Sequence, residues 1–108
     1  MTLFVLAALS AAVAIAAGAF GAHGAAPKAA EYLRTGGLYQ MVHAVAVIAI
    51  AAQMRGPATC LLIGAAVFAF TLYGIALGGP TWLGAITPVG GSLMIAGWVW
   101  AAWAFSRG

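Results

Sequence analysis

The sequence predicts an all-α membrane protein, an antiparallel bundle of four transmembrane helices joined by short loops. Three observations carry that expectation. Of the 108 residues, 66% are hydrophobic and only 5% are charged, against about 25% charged in soluble domains. One acidic and four basic side chains cannot cover a water-facing surface, whereas a lipid-facing one tolerates them. The apolar residues also fall into four runs separated by Gly- and Pro-containing turn signals. Those runs are unbroken and alanine-rich, which suits helices and not the polar–apolar alternation of a spanning barrel.

The first span is expected over 3–22. It has no basic n-region and exceeds the ~7–15-residue core of a cleaved signal, so a retained helix is expected. Ser10, Ala14, Gly18 and Ala22 recur every fourth residue, a small-residue stripe that lets another helix approach. Between the first two runs lie Pro27, Lys28, Glu31, Tyr32 and Arg34. They read either as a two-turn helix lying at the membrane surface or as a solvated loop. Thr35-Gly36-Gly37 then marks the start of a second span over 38–53.

Met54-Arg55-Gly56-Pro57 reads as a tight turn, with Pro57 opening a third span over 58–77. Gly78-Gly79-Pro80 stops that span. Thr87 is expected to cap the fourth span, over 88–105, with Pro88 in its first turn. Trp82, Trp98, Trp100 and Trp103 are expected to anchor the protein at the membrane interfaces. Gly18, Gly21, Gly90, Gly91 and Gly97 are expected to bring helices close together. A single membrane domain with no linker is expected over 1–108.

Polar side chains are few enough to weigh singly. His23 follows the first span, and Tyr39, Gln40 and His43 lie within the second. An ionisable group at membrane depth is a functional-site candidate. The plainer alternative is a neutral imidazole that locks two helices together. Antiparallel packing would place both histidines toward one membrane side, in a polar cluster of His23, Tyr39 and His43 between spans one and two. Two histidines with Cys60 and Glu31 at unrelated spacings form no metal or haem set, so no metal and no cofactor are expected. Aspartate is absent, the serines lack a nucleophile-elbow setting, and there is no phosphate-binding glycine loop. The net charge of +3 is scattered and forms no basic stripe, which argues against nucleic acid.

Gly18-Ala19-Phe20-Gly21-Ala22-His23-Gly24, Tyr39 to His43, and Thr87-Pro88-Val89-Gly90-Gly91 with Gly97-Trp98 occur in that order. Together they resemble domain-of-unknown-function family 423, small bacterial membrane proteins with a mammalian relative, transmembrane protein 256. The resemblance spans essentially the whole chain. It implies four transmembrane helices in a bacterial inner membrane and implies no reaction. In span three the chain reads Phe68-Ala69-Phe70-Thr71-Leu72-Tyr73. The family pattern there is richer in small polar residues, and Thr71 retains part of that hydrogen bonding.

The expected function is therefore non-enzymatic: a structural, assembly or interaction component of the membrane. The lipid bilayer is one partner, with further copies of the chain or other membrane proteins as the others. The alternative is a small transporter or channel subunit, acting as an oligomer, with a polar path near His23, Tyr39 and His43. An even span number puts both termini on one side with Arg55 and Arg107, opposite Lys28 and Arg34. The basic side chains tie, and the terminal amine tips the expectation toward cytoplasmic termini.

Overall fold

The computed structural model describes residues 2–108 and contains four α-helices with no strand among them. They are α1 (Leu3–His23), α2 (Pro27–Ile50), α3 (Arg55–Ala76) and α4 (Thr87–Arg107), with one 3₁₀ turn, Thr81–Ala85, before α4. All four are long and apolar enough to cross a membrane. Short connections make successive helices antiparallel. Both ends of the chain therefore lie at one end of the molecule, with the turn between α2 and α3; the other end carries the 24–26 and 77–86 connections.

Helix ends follow local chemistry. Thr2 caps α1 by accepting a hydrogen bond from the Val5 amide at 3.2 Å. Pro27 and Pro88 sit in the first turns of α2 and α4, where a missing amide proton costs nothing. The α3 stop occurs where the sequence places it. Gly78 adopts φ +93°, and the Gly79 amide reaches back to the Gly74 carbonyl at 2.7 Å.

Three local expectations need correction. Span two ends at Ile50 and the turn falls at residues 51–53, so Arg55, Gly56 and Pro57 form the first turn of α3 and not the connection before it. No separate surface helix precedes span two, because α2 runs unbroken from Pro27 through Gly36-Gly37 to Ile50. Both glycines are buried: a Cβ on Gly36 would fall 2.7 Å from the Tyr73 ring, and one on Gly37 3.1 Å from the Ala14 carbonyl. They mark close approach of α3 and α1, and packing outweighs their ~1 kcal/mol helix penalty. Thr87 does not cap α4 with its side chain. Its hydroxyl is engaged instead with the Leu83 carbonyl (3.2 Å) and Thr71 (2.7 Å).

The bundle is open. α1 packs on α2, α2 on α3, and α3 on α4, with only a slight approach of α1 to α3. Neither α1 nor α2 brings its backbone against α4. The closest seam joins α3 to α4, where a Cβ on Gly90 would collide with the Phe68 backbone and one on Gly64 with the Met94 amide. At the terminal end, Ala7, Val47, Ala58, Leu61 and Ala101 form the largest buried apolar cluster.

Candidate functional site

The polar side chains collect at the helix seams. Gln40 lies on α2 and is fully buried. Its Nε2 donates to Ser10 Oγ on α1 at 2.9 Å, and its Oε1 accepts from the Tyr73 hydroxyl on α3 at 2.6 Å. One amide thus ties three helices, and the buried Tyr73 hydroxyl gains the partner it needs away from water. Ser10 belongs to the small-residue stripe of α1. Together with buried Ala14, the stripe faces α2, so it is used within the chain. A groove of about 330 Å³ runs between α1 and α3 with Ser10 and Gln40 at its base and otherwise apolar walls.

A second tie involves His43, also buried. Its Nδ1 lies 2.7 Å from the Tyr39 carbonyl, and its Nε2 lies 3.0 Å from Trp98 Nε1 on α4. A carbonyl only accepts and an indole N–H only donates. The proton is therefore on Nδ1, Nε2 is the acceptor, and the ring is neutral in this arrangement. A second proton on Nε2 would face the indole N–H and break the bond. This pair spans a gap that the α2 and α4 backbones leave open, with the rings in edge contact at 5.8 Å between centroids.

A third tie joins α3 to α4. Thr71 Oγ1 lies 2.7 Å from Thr87 Oγ1 and 2.8 Å from the Val67 carbonyl. Either hydroxyl can be the donor across the seam, since each also has a backbone carbonyl within reach, Val67 for Thr71 and Leu83 for Thr87. Among the described residues, no buried side-chain nitrogen or oxygen is without a partner. Nor do three or more His, Cys, Asp or Glu side chains gather where they could hold a metal.

Of the expected cluster of His23, Tyr39 and His43, only Tyr39 and His43 come together, their rings stacked with centroids 6.3 Å apart; His23 is not with them. His23 is exposed at the far end of α1. Because α2 starts at Pro27, His43 lies about 24 Å below that start and about 10 Å from the Ile50 end, at 1.5 Å per residue. The histidines thus sit in opposite halves of the molecule, and His43 faces α4 instead of α1. Tyr39 is half-exposed and packs on Phe68, with centroids 4.8 Å apart.

The tryptophans divide as well. Trp82 is exposed at the far end and Trp103 at the terminal end, where the Arg107 guanidinium lies 5.2 Å above its ring. Trp100 covers Gly56, at the start of α3. Trp98 departs from the anchor pattern: it sits about 14 Å inside the end of α4 and is bonded to His43. Of the five glycines singled out for packing, Gly21, Gly90 and Gly97 meet neighbours closely, while a Cβ on Gly18 or Gly91 would meet nothing within 4 Å.

Sequence reasoning missed Ser10 and Tyr73 as partners of Gln40, and Thr71–Thr87 as a pair. Gln40 itself carried a signal, because an amide deep in an apolar run needs partners on other helices. Which helices supply them is a matter of tertiary register.

The family described as "Protein of unknown function (DUF423)" matches residues 17–91. A UPF0382 membrane protein of Haemophilus influenzae is 37% identical over 105 residues, which cover 87% of this chain and 85% of the relative. One from Staphylococcus saprophyticus is 38% identical, with 88% of each chain covered. A fission-yeast relative, from Schizosaccharomyces pombe, is 31% identical over 91% of this chain and 96% of its own. No solved structure matches. A family match over most of the chain and relatives aligned nearly end to end agree with the four apolar helices: the chain belongs to the DUF423 family of membrane proteins.

Proposed function

We propose that this protein is a non-catalytic helical component of the membrane, structural or assembling in role, that presents the outer faces of α1 and α4 to neighbours in the bilayer. The supporting observation is the use made of its polar groups. Ser10, Gln40, Tyr73, His43, Trp98, Thr71 and Thr87 are spent on bonds between helices. A transport path needs polar groups that line an aqueous or ligand-filled route, and these line seams. We further place the protein in the bacterial plasma membrane with cytoplasmic termini. That placement is supported by the bacterial relatives and by the terminal amine added to Arg55 and Arg107.

The test is a flux assay in proteoliposomes loaded with proton- and potassium-sensitive dyes. Leak at the level of empty vesicles is expected. A flux that disappears in a His43→Leu variant would replace this reading with that of a small channel or transporter. A reporter fused after Gly108 tests the sidedness, and periplasmic activity would reverse it.

A further inference from the structure

The backbones of α2 and α4 stand apart above α3, and the cleft between them has two adjoining parts. The part nearer the far end has a volume of about 400 Å³ and is bordered by Tyr32, Thr81 and Thr87. The deeper part, about 350 Å³, is bordered by Tyr39, Gly91, Ile95 and Trp98. Phe68 walls both. Each volume lies within the ~300–1,000 Å³ range of ligand pockets. Gly91 keeps the deeper part open, because a Cβ there would meet nothing within 4 Å.

Polarity is graded along this cleft in the way it is graded along a lipid. Tyr32 and Leu72 border its upper part beside the end of α3, a helix about 33 Å long whose ends would fall near the edges of a ~30 Å hydrocarbon layer. Lys28 stands exposed one helical turn beyond Tyr32 on the same face of α2, about 6 Å farther out. That height is in the headgroup zone, which adds about 5–7 Å to each side of the hydrocarbon core. The hydroxyls of Tyr32, Tyr39 and Thr81 make no hydrogen bond among the described residues. Below them the walls are aromatic and aliphatic, down to Trp98. The α1–α3 groove lacks these features, since the polar atoms of Gln40 at its base are already paired.

We propose that the α2–α4 cleft binds one anionic phospholipid from the leaflet at the far end. Lys28 faces its phosphate, the Tyr32 and Thr81 hydroxyls serve phosphate and ester oxygens, and one acyl chain runs past Phe68 and Gly91 to Trp98. The His43–Trp98 bond sets the floor of the groove by holding α4 at a fixed distance from α2. This site is independent of whether the protein is structural or transporting in role.

The test uses the purified full chain in detergent and native mass spectrometry, with phosphatidylglycerol and phosphatidylcholine of matched acyl chains as probes. One lipid should bind per chain, with phosphatidylglycerol preferred roughly five-fold, the weight of a single lysine beside an anionic lipid. Lys28→Gln should abolish the preference. Arg34→Gln removes the same charge from a different face of α2, about 120° around the helix from Lys28, and should preserve it. Gly91→Leu fills the cleft from a position with open space around it, so the helix folds and binding of both lipids should fall at least ten-fold. Equal effects of Lys28→Gln and Arg34→Gln would reduce the preference to general surface charge and overturn the site. Undiminished binding to Gly91→Leu, no lipid preference in the unmodified chain, or a dimer that excludes lipid would overturn it equally.

Discussion

Replacing Gln40 with methionine keeps the length and helix preference of the side chain and removes both hydrogen-bonding ends. The consequence falls unequally on its two partners. Ser10 is only part-buried and loses just a donor to its oxygen, its own proton being free for a carbonyl one turn back on α1, so its loss is small. Tyr73 is 7% exposed and its hydroxyl has no other acceptor. Stranding a buried hydroxyl costs about 1–3 kcal/mol, while interhelical hydrogen bonds in membranes average about 0.6 kcal/mol. Gln40→Met should therefore destabilise by about 1–3 kcal/mol, most of it from Tyr73. Tyr73→Phe should cost a similar amount, by stranding the Gln40 carbonyl oxygen. The double variant leaves neither group stranded, so its cost should be well below the sum of the two. Reversible unfolding in mixed micelles, followed by helical circular dichroism, reads all four corners of the cycle. Additive costs, or a Gln40→Met protein as stable as the parent, would refute the claim that this amide is the hub of three helices.

The glycines of α4 give a sharp contrast. Gly90→Ala should destabilise by about 1–3 kcal/mol, because its methyl meets the Phe68 backbone, whereas Gly91→Ala should be neutral or gain up to about 1 kcal/mol of helix preference; thermal melting of the two variants checks this. For the histidines, His43→Leu should lower stability and raise the quantum yield or shift the emission of Trp98, while His23→Leu should do neither. A double variant that behaves as the sum of the singles would agree with their separation, and strong coupling between them would contradict it.

What the sequence made legible follows from the physics that operates at each scale. Four spans, their turns and the α3 stop rest on composition and on Gly78-Gly79-Pro80, which act locally and can be read from the residues in order. Gly36-Gly37 misled for a related reason. A glycine pair looks the same whether it breaks a helix or admits a neighbour, and only the position of Tyr73 and Ala14 decides. That single misreading displaced His43. Starting span two at residue 38 put His43 near the His23 end; starting α2 at Pro27 moves it by several turns into the other half. Gln40 was visible as an anomaly, but its partners sit thirty and thirty-three residues away in the chain.

The placement of the polar ties also has a reason in the medium. In water, burying apolar faces would drive α1 onto α2; in lipid, the tails are as apolar as the helix, and that drive is absent. Only Ala7, Ala14 and Gly21 of α1 are buried, so α1 presents a smooth alanine surface that could slide along or turn about its neighbour at little cost. A directional bond is what removes that freedom. Ser10 to Gln40 fixes the register of α1 on α2, Gln40 to Tyr73 carries it to α3, and Thr71 with Thr87 passes it to α4. His43 and Trp98 then join α2 to α4 across a gap that no backbone contact closes. Each helix is thus tied to its chain neighbour by at least one polar pair.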